Sequence, residues 1–209
     1  MQGLENAIAD LLPSVEHRHY FRHLHANFKL AGHTGKALKD MMWNITRASY
    51  VGRFHALMEE LFAYDNSAFQ WLVGKQPLNW SRSHFRSTSK CDMLCNNLCE
   101  SFNASILHAR NMPILTMLER IRVYLMDKMT TKREMAAKWN DDIGPKIKKI
   151  IEKAKEGSSS YIPTLVGNKL FEVRGVYGDQ FVVDLESRTC PCRRWDLTGL
   201  PCLHAVSAI

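Results

Sequence analysis

The 209-residue chain is long enough for one ordinary domain, or for one domain with a small appendage. Its 45% hydrophobic and 23% charged residues are typical of a folded globular protein and exclude a predominantly disordered chain. The net charge of +7 favours a polyanionic partner, usually nucleic acid, although many basic proteins bind none.

The sequence predicts neither secretion nor a membrane span. Its first residues contain no basic stretch leading into an apolar run, and no window approaches the ~20 apolar residues that cross a bilayer. We therefore expect an intracellular protein without a membrane partner. Thiols stay reduced in that compartment, so clustered cysteines favour metal binding over disulfides.

The first three quarters of the chain predict helices. Apolar residues at helical spacing predict a helix at 3–12. A short β-like piece at 15–19 follows and leads into a second helix that runs through Phe28. Further helical stretches are predicted at 36–73, 94–109, 113–140 and 146–155. The candidate core consists of two apolar stripes in the third of these helical stretches, Leu38, Met41, Met42 and Ile45, and Phe54, Leu57, Leu61 and Phe62.

The pattern changes near residue 160. The run Glu156-Gly-Ser-Ser-Ser160 is typical of a flexible linker. Residues 169–175 and 180–186 are rich in β-branched and aromatic side chains around a Gly-Asp turn, which predicts a β-hairpin. We predict a mainly α region at 1–156, a linker at 157–168 and a small ββα module at 169–209, whose metal-binding residues are described next.

Four potential ligands follow the hairpin in two close pairs, Cys190-Pro-Cys192 and Cys202-Leu-His204. Zn²⁺ prefers four tetrahedral ligands, and three thiolates with one imidazole make a closed set that leaves no position for water. The Cys-x-Cys spacing requires a sharp bend, and Pro201 suits the first position of a helix that carries the second pair. The pattern predicts one structural zinc ion.

Two other groups of residues leave alternatives open. Cys91, Cys95 and Cys99 would share one face of a helix without a fourth ligand, which favours small buried hydrophobes over a metal site. The stretch 132–155 carries eight Lys or Arg and one tryptophan, Trp139. It fits a helix that tracks phosphates and a solvated linker helix equally well.

Cys-x-Cys, a short spacer and Cys-x-His behind a hairpin resemble the SWIM zinc finger, and the segment GLPCLHAVSAI at 199–209 is similar to the way that family enters its last helix. The resemblance implies DNA binding or protein contacts rather than catalysis.

The remaining chain resembles the Mutator-like transposases of plants and the transcription regulators derived from them. The matching segments, in family order, are GLENAIADLLP, VEHRHYFRHLHANF, PLNWSRSHF and KCDMLCNNLCESFN. The resemblance implies an RNase H-like catalytic domain with an all-α insertion, of which this chain would hold a truncated, mostly helical remainder. It also implies a nuclear location.

The same resemblance bears on catalysis. Such transposases use two Asp and one Glu to hold two divalent metal ions, and the Glu corresponds to Glu100. We expect both Asp residues to be absent from this chain. Because one carboxylate supplies too few oxygen ligands for two Mg²⁺ ions, we expect no strand transfer. We interpret Glu100 as a relic or as half of a site completed elsewhere, with an ordinary surface glutamate as the alternative.

One motif departs from the family. Tyr20 stands where the family commonly has the cysteine of a Cys-x-x-His pair that ends here at His23. A phenol stays protonated at neutral pH and is a poor zinc ligand, so we expect no metal at Tyr20 and His23. His19 and His23 are spaced for one helix face, which leaves metal capture by this pair as an alternative. Ordinary core or surface histidines are the favoured interpretation of both.

The sequence as a whole predicts a zinc-binding transposase remnant that binds DNA without strand-transfer activity. The alternative is a protein-interaction module built on the SWIM finger. Since the leftover helices would expose apolar faces, self-association is a further expectation for the helical region.

Overall fold

A computed structural model of the chain describes residues 6, 7, 10–94 and 97–209, of which residues 97–99 are described by their backbone alone. The predicted helix at 3–12 therefore lies only partly within the described residues, and residues 6, 7, 10 and 11 are helical. The further helices are α1 Phe21–Leu30, α2 Lys36–Arg47, α3 Val51–Tyr64, α4 Asn66–Val73, α5 Asn97–Ser105, α6 Ile114–Ala137, α7 Pro145–Ser158, α8 Arg194–Thr198 and α9 Leu203–Ala208.

The strands are β1 Tyr161–Gly167, β2 Leu170–Gly175 and β3 Gln180–Asp184, and two short 3-10 turns lie at Pro77–Asn79 and Arg82–His84. The chain divides into two compact units. The first consists of residues 1–95 together with 158–209, and the second consists of residues 96–157. Among the described residues, no helix combines the length and apolar character that a membrane span requires.

Helices α1 to α4 build the main hydrophobic core of the first unit. From the two predicted stripes, Leu38, Met42, Ile45, Phe54, Leu57 and Leu61 are buried, whereas Met41 is half-buried and Phe62 is 52% exposed. The stretch 36–73, predicted as helical throughout, consists of three helices. The break before α4 has a clear cause, since the Asp65 carboxylate accepts a hydrogen bond from the backbone N–H of Ala68 at 3.0 Å and caps the new helix.

The predicted β-like piece at 15–19 has no strand partner in the described part of the chain. Residues 16–20 are without regular secondary structure, and the backbone N–H of His19 donates instead to the Asn79 carbonyl at 2.7 Å. The segment thus ties the entry of α1 to the 3-10 turn at 77–79.

The second unit contains α5, α6 and α7. Their positions agree with the three predicted helices, although α6 ends at Ala137 and α7 continues to Ser158. None of the residues of α6, all of which are described, is buried. Its predicted apolar face is therefore open in part, with Ile114 62% and Leu118 53% exposed.

The sheet has three antiparallel strands in the order β1-β2-β3. The predicted hairpin is β2 with β3, in which Phe171 pairs with Val183 and Val173 with Phe181. Residues 157–168, predicted as a linker, instead hold the end of α7 and the whole of β1. The Gly-Ser run before β1 favours a linker, and for that reason the sequence did not predict the strand. Because β1 lies at the edge of the sheet, it tolerates Pro163.

Candidate metal centre

A closed loop delivers the first ligand pair from the end of β3. The Asp184 carboxylate accepts hydrogen bonds from the backbone N–H groups of Glu186 and Ser187 at 2.8 and 3.0 Å. Asp184 and Thr189 also exchange two backbone hydrogen bonds, of 3.1 and 3.0 Å. Because the loop ends are paired in this way, Cys190 leaves the sheet at a fixed position.

The Cys190-Pro-Cys192 segment makes the sharp bend that its spacing predicts. The backbone N–H of Arg193 donates to the Cys190 carbonyl at 2.7 Å, and Arg193 adopts a left-handed conformation with φ +59°. This conformation costs roughly 1–2 kcal/mol for a residue with a Cβ atom. The bend therefore depends on contacts that hold Arg193 in place.

Two short helices bring the second pair back to the first. Helix α8 ends at Thr198, and the following Gly199 reverses the chain with a φ of +73°. The Asp196 carboxylate of α8 accepts a hydrogen bond from the Cys190 N–H at 3.3 Å. Cys202 is the N-cap of α9, so His204 lies in its first turn. Pro201 precedes the cap, and its predicted place as the first helical residue is wrong by two positions.

The structure brings together the four residues predicted as zinc ligands. The Sγ atoms of Cys190, Cys192 and Cys202 and a ring nitrogen of His204 all lie within 4.8 Å of one another. Each residue is at most 6% exposed. The group is the only cluster of ligand-type side chains that the described residues form.

The spacing of the donor atoms fits a tetrahedral ion. Bonds of zinc to sulfur and nitrogen imply donor–donor separations of about 3.5 to 3.8 Å in a tetrahedron. The His204 Nδ1 atom lies 3.5 Å from the Cys190 Sγ and 3.9 Å from the Cys202 Sγ. Nδ1 is therefore the imidazole atom that faces the sulfurs, and the donor set is consistent with one Zn²⁺ ion.

Aromatic rings fix the orientation of the imidazole. The Phe181 ring stacks on His204 with centroids 3.9 Å apart, and the Tyr161 ring meets it edge-on at 4.6 Å. The Tyr161 hydroxyl in turn donates to the Asp179 carboxylate at 2.8 Å. Burial, followed by this hydrogen bond, raises the pKa of Tyr161 to about 12, so the phenol stays neutral beside the site.

The three sulfurs lie close enough together to shift one another's pKa values. Hydrogen bonds with Cys192 and Cys202, and then burial, raise the pKa of Cys190, whereas hydrogen bonds from Cys190 and Cys192 lower the pKa of Cys202. Because zinc requires all three sulfurs as thiolates, loading the site releases protons.

The other candidates do not join a site. Glu100 lies on α5 and is exposed, and the described residues place no carboxylate cluster around it. The rings of Tyr20 and His23 lie 4.9 Å apart, but neither they nor His19 belong to a group of ligand-type side chains in the described residues.

The described residues include only part of the predicted helix face of Cys91, Cys95 and Cys99. Cys91 is half-buried and precedes α5 in a segment without regular structure, so its predicted place on a helix is wrong. Cys95 and the side chain of Cys99 lie outside the described residues.

Sequence reasoning missed the residues that join the metal centre to the helices. The Arg193 guanidinium donates to the backbone carbonyl of Ser83 and, at 2.7 Å, to that of Phe85. The Ser49 hydroxyl donates to the Cys192 carbonyl at 2.6 Å. No spacing rule signals such contacts, because the partners are more than a hundred positions apart.

Comparison with known families assigns the C-terminal part of the chain. The SWIM zinc finger family matches residues 177–209, a range that contains all four clustered ligands. No curated protein and no solved structure matches the chain. Residues 177–209 are therefore a SWIM zinc finger, whose buried Cys190, Cys192, Cys202 and His204 are consistent with one bound Zn²⁺ ion.

Proposed function

We propose that the chain is a DNA-binding remnant of a plant Mutator-like transposase that acts in the nucleus. Its zinc finger has a structural role, and its helices make the phosphate contacts. The observation that carries the DNA-binding part is an exposed row of lysines on α7.

The row consists of Lys146, Lys149 and Lys153, which we call the α7 lysine row. Their spacing of three and four residues places them on one face of the helix, over about 10 Å of its axis. All three side chains are exposed, and no ion pair with another described residue neutralises them. On the same helix, Lys148 and Lys155 pair with Asp141 and Glu152.

The charge distribution favours DNA contact by the helices and a structural role for the finger. Residues 161–209, which include the finger, hold five Lys or Arg and five Asp or Glu. The entire excess of +7 therefore lies in the preceding, mostly helical part of the chain. Because phosphate contacts dominate DNA affinity, a neutral finger is a weaker candidate for the DNA contact than α7.

The proposal includes no strand transfer. The resemblance to transposases assigns this sequence only Glu100 of the three acidic residues, and a single carboxylate cannot hold two divalent ions.

The test is the salt dependence of DNA binding by the full chain loaded with zinc. Fluorescence anisotropy with a mixed-sequence duplex would be measured for the parent and for the triple variant Lys146→Gln, Lys149→Gln, Lys153→Gln. If each lysine neutralises one phosphate, the slope of log affinity against log salt falls by about 2.7.

A matched control removes three positive charges elsewhere. Lys29, Lys36 and Lys39 are exposed on α1 and α2, and their change to glutamine alters the net charge by the same amount. We expect the control to keep most of the parent slope. Equal slopes in both triple variants would contradict the assignment to α7, and no salt-dependent binding by the parent would contradict DNA binding altogether.

A second candidate is a protein-interaction module, and the open face of α6 favours it. Ile114, Leu115 and Leu118 are 62%, 79% and 53% exposed, as a face that meets a protein partner or another copy of the chain would be. Light scattering over a range of concentrations tests self-association. A monomer at all concentrations, together with salt-dependent DNA binding, would favour the first candidate.

A further inference from the structure

The SWIM finger is attached to the helical part of the first unit by its metal-binding turn. The contacts come from residues beside the ligands: the two Arg193 hydrogen bonds to the Ser83 and Phe85 carbonyls, the Ser49 bond to the Cys192 carbonyl, and the buried Leu197. We call this set the clasp. We infer that zinc loading of the finger stabilises the helical region through the clasp, so that the finger acts as a zinc-dependent clamp on residues 36–85.

Helix α8 places one side chain in each of two cores. Trp195 packs in the core of the finger with Cys190, Cys192 and Cys202, whereas Leu197 belongs to the core formed by α1 to α4. Residues two positions apart on a helix point to opposite sides, so a single turn of α8 reaches both. A rearrangement of the ligands therefore moves a residue of the helical core.

The guanidinium of Arg193 satisfies carbonyl groups that lie in the buried interior of the helical region. Ser83 and Phe85 are each 1% exposed, and their carbonyls flank the end of the 3-10 turn at Arg82–His84. Buried carbonyls without a donor destabilise a fold, so these two depend on a side chain of the finger.

The metal controls the position of that side chain. Arg193 follows Cys192 directly, and its left-handed conformation closes the turn onto the Cys190 carbonyl. Zinc fixes both cysteines and hence the turn. Without zinc, hydrogen bonds alone hold Arg193 in the left-handed conformation, which costs roughly 1–2 kcal/mol relative to a more common one.

Two further contacts between the finger and the helical region support the same inference. Lys90 donates to the Asp196 carbonyl of α8 at 3.0 Å, and the Tyr50 ring meets the Phe181 ring edge-on at 6.3 Å. Phe181 is the ring that stacks on His204. The helical region therefore contacts the finger beside Cys192 and at the ring that stacks on His204.

The test compares amide hydrogen exchange of residues 36–85 in the full chain, with zinc bound and after chelation. We expect protection to fall at least tenfold when zinc is removed, which is the effect of losing one charge-assisted hydrogen bond. Unchanged protection in this region after zinc removal would overturn the inference.

The variant Arg193→Asn separates the clasp from the metal, because asparagine tolerates the left-handed conformation. We expect it to keep one equivalent of zinc and still lose protection around residues 81–85. Arg188→Asn is the matched control, since Arg188 is exposed, has φ +57° and lies near the same ligands. The inference fails if both variants keep the parent's protection, or if both lose it equally.

A third variant covers the case in which Arg193→Asn fails to hold zinc. Ser49→Ala removes one clasp hydrogen bond without changing the finger, and we expect about a fivefold loss of protection with zinc retained. Full protection in this variant would then count against the clamp.

Discussion

Leu197 offers the sharpest energetic test of how the finger and the helices are joined. The sequence places it between the two ligand pairs of the finger, yet its side chain is 1% exposed and packs in the core of α1 to α4. Truncation of a buried leucine to alanine costs about 2–5 kcal/mol through lost burial and the cavity that remains. We therefore expect Leu197→Ala to destabilise the helical region by about 3 kcal/mol.

The assay is urea unfolding of the full chain with excess zinc, followed by far-UV circular dichroism, which reports the helices. With a slope of about 2 kcal/mol per molar urea, the loss lowers the midpoint by about 1.5 M. The matched control is Leu165→Ala on β1, where the side chain is 64% exposed and a change within about 0.5 kcal/mol is expected.

Two results would refute the reasoning. If Leu197→Ala shifts the midpoint no more than Leu165→Ala, Leu197 does not fill the helical core. If the loss appears in zinc content rather than in the helical transition, Leu197 supports the metal site alone.

The remaining predictions concern the metal and catalysis. Elemental analysis should find one zinc per parent chain and clearly less in Cys202→Ser. The control is Cys91→Ser, whose half-buried thiol lies outside the cluster, and it should keep the full equivalent of zinc. Parent protein that is well folded and free of zinc would contradict the site. In a plasmid-nicking assay with Mg²⁺ or Mn²⁺, we expect the parent and Glu100→Gln to be equally inactive, and parent activity that the variant lacks would show that Glu100 works in a complete site.

The sequence predicts the metal centre better than any other part of the molecule. Two short ligand pairs at fixed spacing supply the three thiolates and one imidazole that zinc prefers. The cluster of Cys190, Cys192, Cys202 and His204 is therefore predictable from the local sequence pattern. The hairpin of β2 and β3 is likewise local, because it is specified by alternation and a turn.

The errors arose where distant residues decide the structure. Strand β1 follows a Gly-Ser run and contains a proline, so its local preference is for a linker, and pairing with β2 overrides that preference. The clasp has no local signal at all, since Arg193 resembles any charged residue of a loop until its partners at 83 and 85 are known. The family-level expectations, transposase ancestry and DNA binding, stay predictions.

The chain order of the first unit has a consequence for biosynthesis. Ser49 and Cys192 are 143 positions apart, and Arg193 and Ser83 are separated by 110. At about 5–20 residues per second, a ribosome needs roughly 5–30 s to supply the second member of each pair after the first. Helices form within microseconds. During this interval α1 to α4 therefore lack the core contact of Leu197 and the hydrogen bonds of the Arg193 guanidinium. On the inference drawn above, packing of the helical core is thus completed only after the finger has emerged from the ribosome and has bound zinc.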